Sequence, residues 1–289
     1  MKIVTDSAAE ITREEMQAWG IHVVPLFIEF PDEEIAAGDI DPDEFYNRLR
    51  AMEPQIPTTA QPSVGMFLDT YRQLTATGEE LLSIHISSGL SGTVNTARLA
   101  SQQLSEAKIT VVDTLTLSAA ERFSVLVAAM AIKKGWPSHK IMERLTTIQK
   151  SEDIAFTLET LDYLARGGRI GRVQALAGSL LKLKPVISVE KTDGKYNTLG
   201  KGRTMQQTMK TIVDYFVTKF GTNTPLWITL MHGQIPDKAV IFEELLKSRL
   251  KVARLDVRRV SPVLGVHTGP SVVGAGVMPI ELVGDLLDT

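Results

Sequence analysis

Seven consecutive residues, Ser87-Ser88-Gly89-Leu90-Ser91-Gly92-Thr93, carry the densest chemistry in the chain. Three serines and a threonine supply hydroxyl donors, and two glycines let a ligand approach the backbone closely. The run follows Leu81 to Ile86, an apolar stretch that reads as a buried strand, and precedes Val94 to Ala100, which reads as a helix. First-turn amides of a helix lack partners, and the helix dipole makes that end partly positive. Strand, small-residue loop and helix start therefore suit an anion. The plainer alternative is a helix start capped by Ser88 or Ser91, with the glycines forming a tight turn.

Two further segments carry polar groups in constrained backbone. Pro54 to Ser63 holds three prolines in ten residues, which stiffens it against helix, and its centre is Thr58-Thr59-Ala60-Gln61-Pro62-Ser63. It reads as a second donor loop or as a linker, with Ser63 placed to cap a helix running to about Ala76. Near the end, Val266-His267-Thr268-Gly269-Pro270 sets a histidine among small residues before a final strand. A lone histidine is more often structural than ligand-binding. With five histidines and none in metal-ligand spacing, no metal site is expected. Ser91, His267 and an aspartate such as Asp6 or Asp113 have the residue types of a hydrolytic triad, but the glycine spacing of a nucleophile elbow is missing. The Gly-Lys-Ser/Thr phosphate loop is absent, and Gly274 and Gly276 do not continue into G-x-G-x-x-G. Ser179 and Lys182 match S-x-x-K without its companion motifs.

The elements that must position these groups alternate in the first half. Lys2 to Thr5 reads as a strand and Thr12 to Glu15 as a capping box for a helix through Trp19. Ile21 to Phe30 reads as a strand, Pro31 to Gly38 as a loop or small hairpin, and Asp41-Pro42-Asp43-Glu44 as a helix start. Ile109 to Asp113 reads as a strand, and helices are expected from about Thr116 to Lys133 and from Ser138 to Lys150. This alternation predicts a doubly wound, mostly parallel sheet, with ligands outside the carboxyl ends of its strands. Thr5-Asp6-Ser7, Ile86-Ser87-Ser88 and Val112-Asp113-Thr114 fall there. The second half has another rhythm. A helix at Leu158 to Ala165 precedes Arg166-Gly167-Gly168-Arg169, and an apolar helix is expected over Val173 to Leu181, a candidate wall for a ligand tunnel. A hairpin turns at Asp193-Gly194, then helix, strand, helix and strand follow through Val260. The expected division is an α/β domain over residues 1–152 and an α+β domain over 153–289, with the ligand cleft between them.

Composition bounds the function. The 289 residues suffice for a sizeable core, and 31 basic against 34 acidic side chains give a formal charge of −3. That disfavours nucleic-acid binding through a broad basic face. Without cysteine there are no disulfides, thiolate nucleophiles or thiolate metal sites. No signal-peptide core and no membrane-length apolar run is apparent, so a cytoplasmic protein without an integral membrane segment is expected.

The ordered loop set resembles the DegV family. The resemblance rests on Thr5-Asp6-Ser7, Thr58 to Ser63, Ser87 to Thr93, Gly167-Gly168-Arg169-Ile170, Lys184-Pro185-Val186-Ile187, Lys201-Gly202-Arg203-Thr204 and His267-Thr268-Gly269-Pro270, and spans nearly the whole chain. It implies an α/β domain followed by an α+β domain, with a long-chain fatty acid such as palmitate or oleate held at their cleft and no other cofactor. Many members resemble the lipid-binding subunit of bacterial fatty-acid kinase, which is not itself an enzyme. That subunit presents the carboxylate to a separate ATP-dependent kinase for acyl-phosphate formation. By the same resemblance Thr59 and Ser91 match carboxylate-contacting hydroxyls, Gly92 a backbone donor and His267 a head-group histidine. Ser88 and Arg169 are secondary contacts, and Arg203 is a kinase-docking position. Ala60 and Ser271 depart from the usual serine and glycine. A tail of about 14 methylenes would contribute roughly 11 kcal/mol when buried, at ~0.8 kcal/mol each. A hydrolase using Ser91 and His267, or a binding module for a small phosphorylated ligand, stands as the alternative.

Overall fold

The computed structural model describes residues 1–174 and 183–287. β1 (Lys2–Asp6) leads through a short turn to α1 (Arg13–Trp19). The expected capping box forms: Thr12 Oγ1 accepts the Glu15 N–H at 3.3 Å, and Glu15 Oε2 accepts the Thr12 N–H at 3.1 Å. The strand expected over Ile21 to Phe30 is two strands. β2 (Ile21–Val24) pairs with β1, but Pro25 cannot donate to the ladder, and the chain leaves the sheet there. β3 (Phe27–Glu29) instead joins a small antiparallel sheet, between β4 (Glu34–Ala36) and β5 (Thr58–Ala60). The proline-rich segment is thus neither free loop nor linker, since β5 holds Thr59 opposite Ile28. Between them runs α2 (Pro42–Ala51), capped by Asp41 with Pro42 in its first turn.

The parallel sheet is completed after α3 (Val64–Thr75), capped by Ser63. β6 (Leu81–His85) pairs with β1, and beyond α4 (Thr93–Gln102) the outer strand is β7 (Ile109–Asp113). The order β2-β1-β6-β7 is all parallel and is wound on both faces. Val4 packs with Phe67, Tyr71 and Ala97 of α3 and α4, while Ile3 faces α5 (Ser118–Lys133) and α6 (Ser138–Ser151). The strand order reverses between β1 and β6, the place where open sheets receive ligands.

The second sheet comes from β8 (Asp153–Thr157), β9 (Lys184–Val189), β10 (Tyr196–Gly202), β11 (Leu226–His232), β12 (Val252–Arg259) and β13 (Val273–Pro279). Its order is β10-β9-β8-β13-β11-β12, antiparallel except for β11 with β12. α7 (Asp162–Arg166) follows β8, α8 (Met205–Phe220) and α9 (Pro236–Arg249) cover one face, and α10 (Pro262–Thr268) precedes β13. The helix expected over Val173 to Leu181 falls mostly outside the described residues.

α5 lies between the two sheets. Residues 118 to 131 are all buried, which explains a helix apolar on every side. Gly276 of β13 makes room for it, since a Cβ there would lie 2.7 Å from the Ala119 Cβ. The helix begins later than expected, at Ser118, which is itself left-handed (φ 53°), as is Leu115 just before it (φ 52°). Its two buried charged residues meet different fates. The Arg122 guanidinium pairs with Glu15 and donates to the Glu10 carbonyl at 3.1 Å. Glu121 has both carboxyl oxygens buried without a partner.

Burial pushes the Glu121 carboxyl well above the usual carboxylate range, helped by Asp6, Glu10 and Asp113 nearby. Burial likewise pushes Glu10 up to about 8 and Glu152 up to about 7. Each of these acids keeps its proton to higher pH when folded than when unfolded. The stability present at low pH is therefore lost as pH rises above the ordinary carboxylate value of about 4.5, up to about 8 for Glu10 and about 7 for Glu152. Glu121→Gln, which has no proton to lose, should be more stable than the parent at about pH 8, with the gap closing towards pH 5. Urea unfolding at both values checks this, and a gap independent of pH would contradict it.

Candidate functional site

The site assembles where three separate segments meet. Thr59 on β5 and His267 in the last turn of α10 are joined by a 2.9 Å contact between Thr59 Oγ1 and His267 Nε2. Gly167, which follows α7, lies flat against the imidazole, and a Cβ there would overlap Nδ1. Nδ1 is buried without a partner. Burial, and then the Arg169 charge, lower the His267 pKa to about 4, so the ring is neutral near pH 7. With the proton on Nε2, the ring donates to Thr59 Oγ1 and leaves the threonine hydroxyl hydrogen free for another acceptor.

The serine-glycine loop closes on itself at the end of β6. Ser87 donates its N–H to the Thr116 carbonyl at 2.8 Å, and the Ser87 carbonyl accepts the Leu90 and Ser91 N–H groups, each at 3.0 Å. The plainer alternative, capping of α4 by Ser88 or Ser91, does not occur, because Gly92 occupies the cap position without a side chain. Ser91 Oγ instead accepts the Thr93 N–H at 3.3 Å and shares a 2.8 Å bond with Thr93 Oγ1. Ser88 is exposed, and its N–H donates to Asp113 Oδ1 at 3.2 Å.

Gln61 was not singled out by sequence reasoning, although it stands two residues after Thr59. Its Nε2 donates to Thr96 Oγ1 at 2.8 Å, and its amide packs where a Gly92 Cβ would be. That contact ties the Thr59 segment to the start of α4 and brings the two hydroxyl-bearing loops together. Arg169 is exposed and folds its guanidinium onto the Gly167 carbonyl at 2.8 Å. Arg203 is exposed on the corner between β10 and α8. Its backbone N–H donates to Gln207 Oε1 at 2.8 Å.

The hydrolytic triad is not assembled. Asp6 is committed to His85 Nδ1 at 3.0 Å and to the Ala8 and Ile86 N–H groups at 2.9 and 3.1 Å. Asp113 accepts the Ser88 and Leu115 N–H groups. His267 bonds Thr59 and not Ser91. Buried Tyr71, Ser83, His85 and Asp6 form one continuous chain of hydrogen bonds that fixes the carboxyl ends of β1 and β6. Among the described residues no group of three or more His, Asp or Glu is placed to hold a metal ion, and no helix is long and apolar enough to cross a membrane.

Beside this polar cluster lies an apolar cavity of about 30 Å³ between α5, α10 and the second sheet. Leu117, Phe156, Tyr196, Leu264 and Val272 are among its walls. Leu90 of the serine-glycine loop and Ile170 pack against the same apolar cluster, which also includes buried Val173. α10 therefore serves both regions, with Leu264 and Thr268 on the cavity and His267 on the hydroxyls.

A doubly wound parallel sheet and a second, mixed sheet, with a hydroxyl cluster beside an apolar cavity, define a two-sheet α/β protein. The family model described as "Uncharacterised protein, DegV family" matches residues 1–279, and the chain belongs to the DegV family. It is similar to a DegV domain-containing protein of Deinococcus radiodurans, 35% identical over 259 residues, covering 90% of this chain and 89% of that one. Its fold is similar to that of a fatty-acid-binding DegV family protein from Thermus thermophilus, with a TM-score of 0.89 and 30% identity, covering 96% and 99% of the two chains. A stearic acid-binding protein from Eubacterium ventriosum is also similar, with a TM-score of 0.87 and 28% identity, covering 96% and 98%.

The buried, neutral His267 makes a direct prediction. Nitrogen-15 NMR of the imidazole should show it unprotonated at pH 6, titrating only towards about 4. A midpoint near the usual histidine value would mean that the ring is solvated.

Proposed function

We propose that this chain binds a long-chain fatty acid and presents its carboxylate to a separate ATP-dependent kinase for acyl-phosphate formation. The observation that carries the first half is the placement of the Thr59–His267 pair beside a largely apolar cavity, with α10 shared by both. A carboxylate accepts from the Thr59 hydroxyl, oriented by His267, and from Ser91, with the Gly92 N–H and the first-turn amides of α4 as further donors. The tail supplies the affinity and the hydroxyls the orientation. The similarity to proteins described as fatty-acid-binding supports this reading. An apolar cavity also favours a lipid over a small phosphorylated ligand, which has no tail to bury. On this reading the first 152 residues and the remainder form the two sides of the cleft, Ser88 and Arg169 flank the head group, and the chain works in the cytoplasm without phosphoryl-transfer machinery of its own.

Native mass spectrometry of the protein purified from cells should show one retained fatty acid per chain. Ser91→Ala should weaken binding by roughly 1.5–3 kcal/mol, the usual cost of losing a hydrogen bond to a charged group. Extraction that returns no fatty acid, together with no binding of added acid, would refute the proposal.

The kinase half turns on Arg203, an exposed arginine outside the carboxylate cluster. Its planar fork suits a carboxylate on the partner's surface. Arg203→Ala should therefore lower acyl-phosphate formation with a cognate kinase while fatty-acid affinity stays unchanged, and Arg203→Lys should restore it only in part. Full turnover by Arg203→Ala at limiting binding protein would place docking elsewhere.

A further inference from the structure

We propose that the Asp193–Gly194 turn of the β9–β10 hairpin is a latch, and that Ser87 is the positioning residue that seats it. The inference rests on the fatty-acid reading above and concerns how the cleft opens and closes.

Ser87 is fully buried, and its hydroxyl is not available to a ligand. It donates to the Gly194 carbonyl at 2.8 Å and accepts the Gly89 N–H at 3.0 Å. The two backbones touch. A Cβ on Gly89 would overlap the Asp193 carbonyl, and one on Gly194 would overlap the Ser87 hydroxyl. Gly194 is left-handed (φ 64°), so glycine is required there twice over, by conformation and by space. The turn is held from its own side as well. The Gly194 N–H donates to the Glu190 carbonyl at 2.8 Å, and Arg172 pairs with Asp193 at 2.5 Å.

The same turn presses on the cavity wall. A Gly194 Cβ would lie 3.1 Å from the Leu115 Cα, so the turn is wedged between Ser87 and Leu115. Leu115 and Ser118 are both left-handed, and Ser118 lines the cavity together with Leu117, which lies between them. Non-glycine residues in this conformation persist when their surroundings hold them. One turn thus sets the head-group loop and braces the wall of the tail cavity. A tail entering or leaving the cavity passes this wall, and lifting the turn frees the wall to move.

The chain has no cysteine, which permits a clean test. The ideal Gly194 Cβ lies 3.0 Å from the Ser87 Cβ. A small shift brings that pair into the range of about 3.5–4.5 Å that disulfides span. Ser87→Cys/Gly194→Cys is loaded with a fluorescent long-chain fatty acid under reducing conditions and then oxidised, and release is timed against unlabelled acid. The oxidised form should release at least about tenfold more slowly than the reduced form, and Ser87→Ala should release about three- to tenfold faster than the parent, as loss of one buried hydrogen bond implies. Equal release from oxidised and reduced protein overturns the latch. If the double variant does not fold, Ser87→Ala decides: an unchanged release rate overturns it, whatever the unfolding midpoint. A parent protein that binds no fatty acid refutes the ligand reading instead. Hydrogen exchange at the Gly89 and Leu115 amides then tests the latch directly, with slower exchange expected in the oxidised form and equal exchange overturning it.

Discussion

A helix buried on all sides cannot leave its charged residues unanswered, and α5 carries two. Burying an ion without a partner costs several kcal/mol, so the fold must supply a counter-charge or suppress the ionisation. For Arg122 it supplies Glu15 and the Glu10 carbonyl. Glu10, drawn inward and left-handed at φ 57°, then turns its carboxyl to both the Ser118 hydroxyl at 3.2 Å and the Ser261 N–H at 2.9 and 3.1 Å. Ser261 precedes α10, and α10 carries His267 to Thr59. One desolvated guanidinium at the centre of the molecule is thus connected, through Glu10, Ser261 and His267, to the geometry of the site.

The site divides by polarity along α10. Leu264 and Thr268 face the apolar cavity, while His267 reaches the hydroxyl on β5. Apolar walls give attraction without direction, and hydrogen bonds give direction at modest net energy. A cleft that needs both has to place them next to each other, and a short helix buried throughout does so with three side chains. Gly265 in the same helix permits the approach to α2, since a Cβ there would lie 2.6 Å from Phe45 and 2.8 Å from the Tyr46 hydroxyl.

Much of this was legible in the residues. The Thr12–Glu15 capping box, the Asp41-Pro42 helix start, the alternation that becomes a parallel sheet and the Asp193-Gly194 hairpin are local, and local rules placed them. That alternation also put the serine-glycine loop at the carboxyl end of β6, whereas the switch between β1 and β6 came only with the strand order. Reading failed where distant contacts decide. Pro25 broke one expected strand into two that belong to different sheets. Ser88 and Ser91 looked like caps, but the Ser87 carbonyl gathers the loop amides and leaves Gly92 at the helix start.

By itself, the order of residue types determined the elements, the family and which loops carry hydroxyls and glycines, because capping, periodicity and turn chemistry act within a few residues. Only the tertiary structure decided what those groups do. Ser87 and Ser91 are alike in sequence, yet Ser87 binds a turn 107 residues away while Ser91 bonds its neighbour Thr93. Asp6 and His267 had the types for a triad, but Asp6 went to His85 and His267 to Thr59. The physical reason is common to all of them. A buried polar group must find a partner, and which partner lies within 3 Å depends on how the two sheets close around α5 rather than on its neighbours along the chain.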